Sequence, residues 1–187
     1  MTNEELLTAI KQLYVEQDDK LKSQFKRSLP FQDALFDRWE RAASLGFSEG
    51  SSIYNSSVVF GAVSVGEQSW IGPYTLLDGS GGDIEIGAFC SISSGVHIYT
   101  HDTVRWALSG GLAEKHLAPV KISDCVYIGS QSIIAAGSII GEHSVVGANS
   151  FVKGEVAART VVGGNPARPI GRVEGAGADV EIIFKKD

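Results

Sequence analysis

Cysteine is scarce: Cys90 and Cys125 are the only two, and no CxxC spacing joins them. A disulfide framework and a zinc knuckle are therefore both excluded. Positive charge is short as well. Sixteen Lys and Arg stand against 22 Asp and Glu, for a net charge of -6 and a pI near 5.2. Nucleic acid demands a basic footprint, so it is excluded as a partner. No stretch approaches the ~18 apolar residues of a membrane span. The opening MTNEELLTAIKQ is too charged for a signal peptide. No membrane insertion and a cytoplasmic location are the expectations. Proline is rare, with 5 residues, but glycine supplies 22, so many positions call for tight or left-handed turns. Hydrophobic residues at 43% and charged residues at 20% are ordinary for a soluble globular protein. The length suits one sizeable domain with a small appendage.

What the chain does have is a period. Stepping by six gives Ile53, Val59, Val65, Ile71 and Leu77, then Ile86, Ile92 and Ile98 after a three-residue slip. The series returns at Ile122, Ile128, Ile134, Ile140, Val146 and Val152. All 14 positions are Ile, Leu or Val, although those types make up 45 of 187 residues. Four residues after the aliphatic comes a compact side chain at Ser57, Ser69, Thr75, Cys90, Ser132, Ser138, Ser144 and Ser150. Each hexad reads as a short strand plus a corner, with the aliphatic residue inward and the small one where the coil turns. Three hexads make a triangular coil of roughly 18 residues, and coils stack at the ~4.8 Å strand spacing. By this reading Cys90 is inert core and Cys125 a corner residue.

The N-terminal residues 1–50 differ. Leu6, Leu7, Ile10, Leu13 and Tyr14 have helical spacing behind Thr2 or Asn3 as N-cap, with Glu5 at a capping-box position. After Pro30, FQDALFDRWERAASLGF reads as a second helix ended by Gly46. These helices are expected to cap one end of the solenoid, whose open end exposes unpaired strands. The solenoid is assigned to residues 51–172, and 173–187 to a tail. Gly171–Gly177 gives a weak linker signal, and Val180–Phe184 reads as a final short strand.

Breaks in the period follow the fifth hexad (Leu77), the eighth (Ile98) and the fourteenth (Val152, resuming near Val162). Five, eight and fourteen leave the same remainder on division by three, so every break leaves from one corner of the triangle. Insertions in repeat proteins map to the functional face. With the slip absorbed as a bulge, DGSGGD after Leu77 lies beside YTHDTVRWALSGG after Ile98, and Asp78 falls near Tyr99–His101. The excursion over residues 99–121 is long for a compact domain and carries aromatic Tyr99 and Trp106.

His101 is the candidate base on this corner. Acyl transfer from a thioester to a hydroxyl requires removal of the hydroxyl proton as attack occurs. A neutral imidazole, with an ordinary pKa of ~6.5, suits that task. His97 reads as a surface corner residue; His116, late in the loop, reads as a solvated residue or a substrate contact, and His143 sits on a hexad corner with no special context. Asp102 adjoins His101, but adjacent side chains rarely face one another. Asp78 reads equally as a carboxylate that accepts acceptor hydroxyls and as a turn former before Gly79.

The hexads, the loop opening IYTHD, the run VYIGSQSIIAAGSIIGEHSVVGANSFV and the ending VVGGNPARPIG together resemble the hexapeptide-repeat acyltransferases. They are most similar to the maltose and galactoside O-acetyltransferases and their polysaccharide-modifying relatives. The resemblance covers about residues 50–172. It implies a left-handed parallel β-helix, a homotrimer, and acetyl-CoA lying in a groove between subunits beside the extended loop. The acceptor implied is a sugar or saccharide; Asp78, by its carboxylate, and Tyr99 and Trp106, the aromatics of the long loop, are the residues expected to contact it. In such enzymes a histidine opening this loop is the general base, which falls on His101, and transfer is direct, without an acyl-enzyme. For the cofactor, the resemblance implies Ser130 and Ala148 along the pantetheine arm. Lys153 stands where the family usually has Thr, and Gly154 replaces the lysine expected next. Arg168 and Arg172 match the region that meets the 3′-phosphate. Tyr127 replaces a common tryptophan.

A carbonic-anhydrase-type zinc site on this fold needs a third histidine roughly 36 residues before the close pair; Gly61 and Val65 stand there, so no metal is expected. A non-catalytic scaffold accounts for the repeat but not for a histidine where three breaks meet. Within acyltransferases, the alternative acceptors are an amino sugar on a nucleotide carrier and a xenobiotic.

Overall fold

The computed structural model describes residues 1–185. It is a parallel β-helix of hexapeptide repeats: five complete three-sided coils and the first side of a sixth. The first face stacks Ser52–Ile53, Trp70–Ile71, Ser91–Ile92, Tyr127–Ile128, Val145–Val146 and Thr160–Gly163 in parallel register. The second face aligns Val59, Leu77, Ile98, Ile134 and Val152, and the third aligns Val65, Ile86, Ile122, Ile140 and Val156.

The hexad aliphatics do point inward. Ile53, Ile71, Leu77, Ile92, Ile98, Ile128, Ile134, Ile140 and Val146 are all fully buried. Each such side chain contributes roughly 1.5–3 kcal/mol of burial free energy. The compact residues behind them are buried too, and their hydroxyls tie coil to coil. Ser57 donates to the Gly72 carbonyl at 2.8 Å, Ser69 to Gly87 at 2.8 Å, and Ser132 to Gly147 at 2.9 Å. A serine in this slot fills little volume yet satisfies a carbonyl that the turn leaves unpaired.

All three breaks fall at the corner between the second and third faces. Strands Val58–Val65 and Leu76–Ile86 run through this corner without interruption, with a register shift between Gly61 and Val63. The bulge needs glycine: Gly61 has φ +66, and a Cβ on it would meet the Gly79 carbonyl oxygen at 2.2 Å. The third break differs from the sequence reading. Val156 already lies inward on the third face, so this coil is shortened by two residues at the corner, where the sequence reading opens a gap to Val162.

Helix α1 (Asn3–Phe25) starts at Thr2 with the expected capping box to Glu5. The second helical stretch is two helices, α2 (Phe31–Leu35) and α3 (Arg38–Ser44). Asp37 divides them because its carboxylate accepts from the Trp39 and Glu40 N–H groups, and an N-cap residue cannot itself be helical. Helix α3 covers the first coil. Ala42 and Phe47 join the core, and Arg41 donates to the carbonyls of Tyr54 and Ser57. Its guanidinium pKa is pushed down by burial. Helix α1 packs on α2 through Tyr14, against Phe31 and the Leu29 carbonyl, while Leu6, Leu7, Ile10 and Leu13 stay exposed.

At the other end the chain reverses. Arg168–Glu174 pairs antiparallel with Thr160–Gly163, and Glu181–Phe184 pairs with Arg168–Glu174. The first of these strands crosses residue 172, and Gly171 lies within it rather than in a linker.

Candidate active site

The corner between the second and third faces brings Asp78, Tyr99 and His101 together. Leu77 pairs with Ile98 and Asp78 with Tyr99, so the turn after Leu77 lies directly beside the start of the long loop. His101–Asp102 then pairs antiparallel with His116–Leu117, which folds the loop into a hairpin carrying helix α4 (Val104–Leu108). The hairpin fixes the direction in which His101 leaves the solenoid.

His101 Nδ1 is buried and has no hydrogen-bond partner among the described residues. The Asp78 carboxylate Oδ2 lies 3.9 Å from it. That separation is longer than a hydrogen bond, and catalytic pairs are often loose before substrate binds. The other carboxylate oxygen, Oδ1, accepts from the Ser80 N–H at 3.1 Å and from the Ser80 hydroxyl. Asp78 is thus divided: one oxygen is held by the turn and the other is left for His101. With Nδ1 turned inward, Nε2 is the nitrogen free to meet a substrate, and the side chain keeps 29% of its surface exposed.

Tyr99 stands edge-on to His101 with ring centroids 6.4 Å apart, and its hydroxyl lies 3.2 Å from His97 Nδ1. His97 is expected at a surface corner. It instead occupies a second-face strand and anchors Tyr99. Asp102 is committed elsewhere, accepting from the Val104 N–H at 3.1 Å. Trp106 is exposed and bonds through its carbonyl with the Gly111 N–H and the Ser109 hydroxyl inside the loop. Among the described residues, no hydrogen bond or ring contact joins Trp106 to His101.

Residues 119–154 match the bacterial transferase hexapeptide (six repeats) family. A hexapeptide-repeat acetyltransferase of Vibrio cholerae, solved with acetyl-coenzyme A, is 27% identical; the match covers 88% of this chain and 89% of that one, with a TM-score of 0.63. A mutant of AntD, an N-acyltransferase from Bacillus cereus solved with dTDP and coenzyme A, is 31% identical, over 66% of this chain and 78% of that one, with a TM-score of 0.55. This chain belongs to the hexapeptide-repeat acyltransferases.

In this hexapeptide-repeat acyltransferase the expected cofactor residues do not form one patch. Ser130 and Ala148 occupy equivalent positions one coil apart, where the Asn149 N–H donates to the Ser130 carbonyl at 2.9 Å. Ser130 is half-buried and Ala148 exposed, so two small side chains line this corner edge. That edge joins the first and second faces. Lys153 follows Val152 and lies on the opposite corner, in the column of Asp78 and Tyr99, so the second face separates it from Ser130 and Ala148. Arg172 is engaged by Glu174, whereas Arg168 is exposed and donates only to the neighbouring Ala167 carbonyl. Of the two arginines, Arg168 is the one free of a carboxylate among the described residues.

Thr100, Ser80 and Gly81 lie in the two segments that the sequence places side by side, but it assigns them no role. The one sequence signal they carry is adjacency: Thr100 precedes His101, and Ser80 stands two residues after an aspartate, the spacing of an Asx turn.

Proposed function

We propose that the protein transfers an acetyl group from acetyl-CoA to a hydroxyl of a sugar or saccharide, in the cytoplasm, with His101 as general base. The observation that carries this is the pairing of a buried His101 Nδ1 with Asp78 Oδ2 at the corner where the repeat breaks. A carboxylate facing Nδ1 favours the tautomer protonated there. The lone pair on Nε2 then takes the acceptor proton as its oxygen attacks the thioester carbonyl. The C–S bond breaks, and the proton passes to the departing thiolate, leaving free CoA and the acyl ester. No acyl-enzyme is required. Asp78 acts here by orienting the base; Tyr99 and Trp106 are left as acceptor contacts. Ser130 and Ala148 offer a low edge to the extended pantetheine arm, and Arg168 suits a phosphate. A homotrimer, with the groove between neighbouring subunits, is part of this reading and rests on the sequence resemblance alone.

Attack by an amine is the second reading, and the likeness to an N-acyltransferase solved with dTDP favours it. The same base serves both. Thiol release from acetyl-CoA, measured across sugars, saccharides, amino sugars and nucleotide-linked amino sugars, separates them. Turnover with hydroxyl-only acceptors supports O-transfer; turnover confined to amines overturns it.

A further inference from the structure

Thr100 separates Tyr99 from His101 and is fully buried. Its hydroxyl donates to the Asp78 carbonyl at 2.7 Å and accepts from the Gly81 N–H at 3.0 Å. Its own N–H donates to the same Asp78 carbonyl at 3.1 Å, and its carbonyl accepts from the Ala118 N–H at 2.9 Å. Three segments distant in sequence therefore meet on this residue: the Asp78 turn, the start of the His101 hairpin and the strand returning from it.

The repeat does not require a hydroxyl there. Two residues past the inward aliphatic on the second face, the five coils carry Gly61, Gly79, Thr100, Ala136 and Gly154. Only the coil that bears His101 has a side chain able to hydrogen-bond at this position. The fit around it is close. A Cβ added to Gly81 would stand 2.6 Å from the Thr100 carbonyl oxygen and 2.7 Å from the His101 Cβ. The backbone of the Asp78 turn thus lies directly against the base, and the Thr100 hydroxyl holds it there.

We propose that Thr100 is a positioning residue, which locks the Asp78 turn against the His101 hairpin and so sets the alignment of carboxylate and imidazole. The proposal rests on the reading of His101 as general base. Thr100→Val keeps the shape and removes the hydroxyl, leaving the Gly81 N–H without its partner.

The test compares wild type, T100V, T100S, G81A and H101Q by steady-state thiol release on the best acceptor, and by 15N-histidine NMR. T100V is expected to lower kcat on the order of ten- to hundredfold, as small misplacements of reacting groups do, with KM for acetyl-CoA unchanged. T100S should restore most of the rate. His101 should hold its proton on Nδ1 in wild type and populate both tautomers in T100V. Where T100V fails to fold, G81A carries the test, because it pushes the same turn off His101 and should show the same loss confined to kcat. Wild-type rates in T100V or G81A overturn the proposal. So does a loss that serine does not rescue, or one that leaves the tautomer unchanged. An inactive H101Q beside a normal T100V sinks the role of Thr100 alone, whereas an active H101Q sinks the base itself.

Discussion

Asp78 and Tyr99 are direct partners in the parallel ladder of the second face, and this one register brings a carboxylate to 3.9 Å from His101 Nδ1. A shift of the corner bulge by one residue would point Asp78 elsewhere. Asp78→Asn keeps the size and removes the charge that orients the imidazole. It should lower kcat by about 10- to 100-fold with little change in KM for acetyl-CoA, read by steady-state thiol release. An unchanged kcat would return Asp78 to the role of a turn former.

The stacked aliphatics carry the stability. Ile128 is fully buried in the first-face column, and Ile128→Ala should cost about 2–5 kcal/mol. Ser132 donates to the Gly147 carbonyl and accepts from the Ser150 N–H at 3.2 Å. Ser132→Ala strands the buried Ser150 N–H, while the Gly147 carbonyl keeps the Ser150 hydroxyl, and should cost about 1–3 kcal/mol. Urea unfolding monitored by circular dichroism checks both values.

Much of this arrangement is legible in the sequence, because an inward aliphatic every sixth residue and breaks sharing a remainder define faces and corners by arithmetic alone. The same arithmetic separates Ser130 from Lys153: one lies two residues past a first-face aliphatic, the other one past a second-face aliphatic. What stays hidden depends on tertiary contacts or local caps. Asp37 reads as mid-helix until its carboxylate is seen capping α3. Val156 arrives two residues early, so a strict step of six passes over it. His97 and Thr100 matter through partners distant in the chain or packed from other segments, which a periodicity does not record.

Both thiols should be sluggish. Burial pushes the Cys90 pKa up, and burial followed by the charges of Asp124 and Glu142 does the same at Cys125. A raised pKa means less thiolate at a given pH. Iodoacetamide at pH 7.5 should therefore modify both more slowly than a cysteine in an unstructured peptide, with half-buried Cys125 reacting before Cys90 and the rate rising with pH. Mass spectrometry of the alkylated protein gives the order. Alkylation of Cys125 should leave acyl transfer intact, since direct transfer uses no thiol of the protein.

The edge formed by Ser130 and Ala148 is proposed to take the pantetheine arm because both side chains are small. Ala148→Phe should raise KM for acetyl-CoA about tenfold, the equivalent of roughly 1.4 kcal/mol, and leave the fold unchanged because Ala148 is exposed. An unchanged KM would place the arm elsewhere on the solenoid.

The most direct test of the central claim is His101→Gln, assayed for thiol release with acetyl-CoA and the best acceptor found in the panel. Loss of general-base catalysis predicts a fall in kcat of about 10²- to 10⁴-fold, with the folded state and acetyl-CoA binding retained. A variant that keeps most of the wild-type rate would contradict the account.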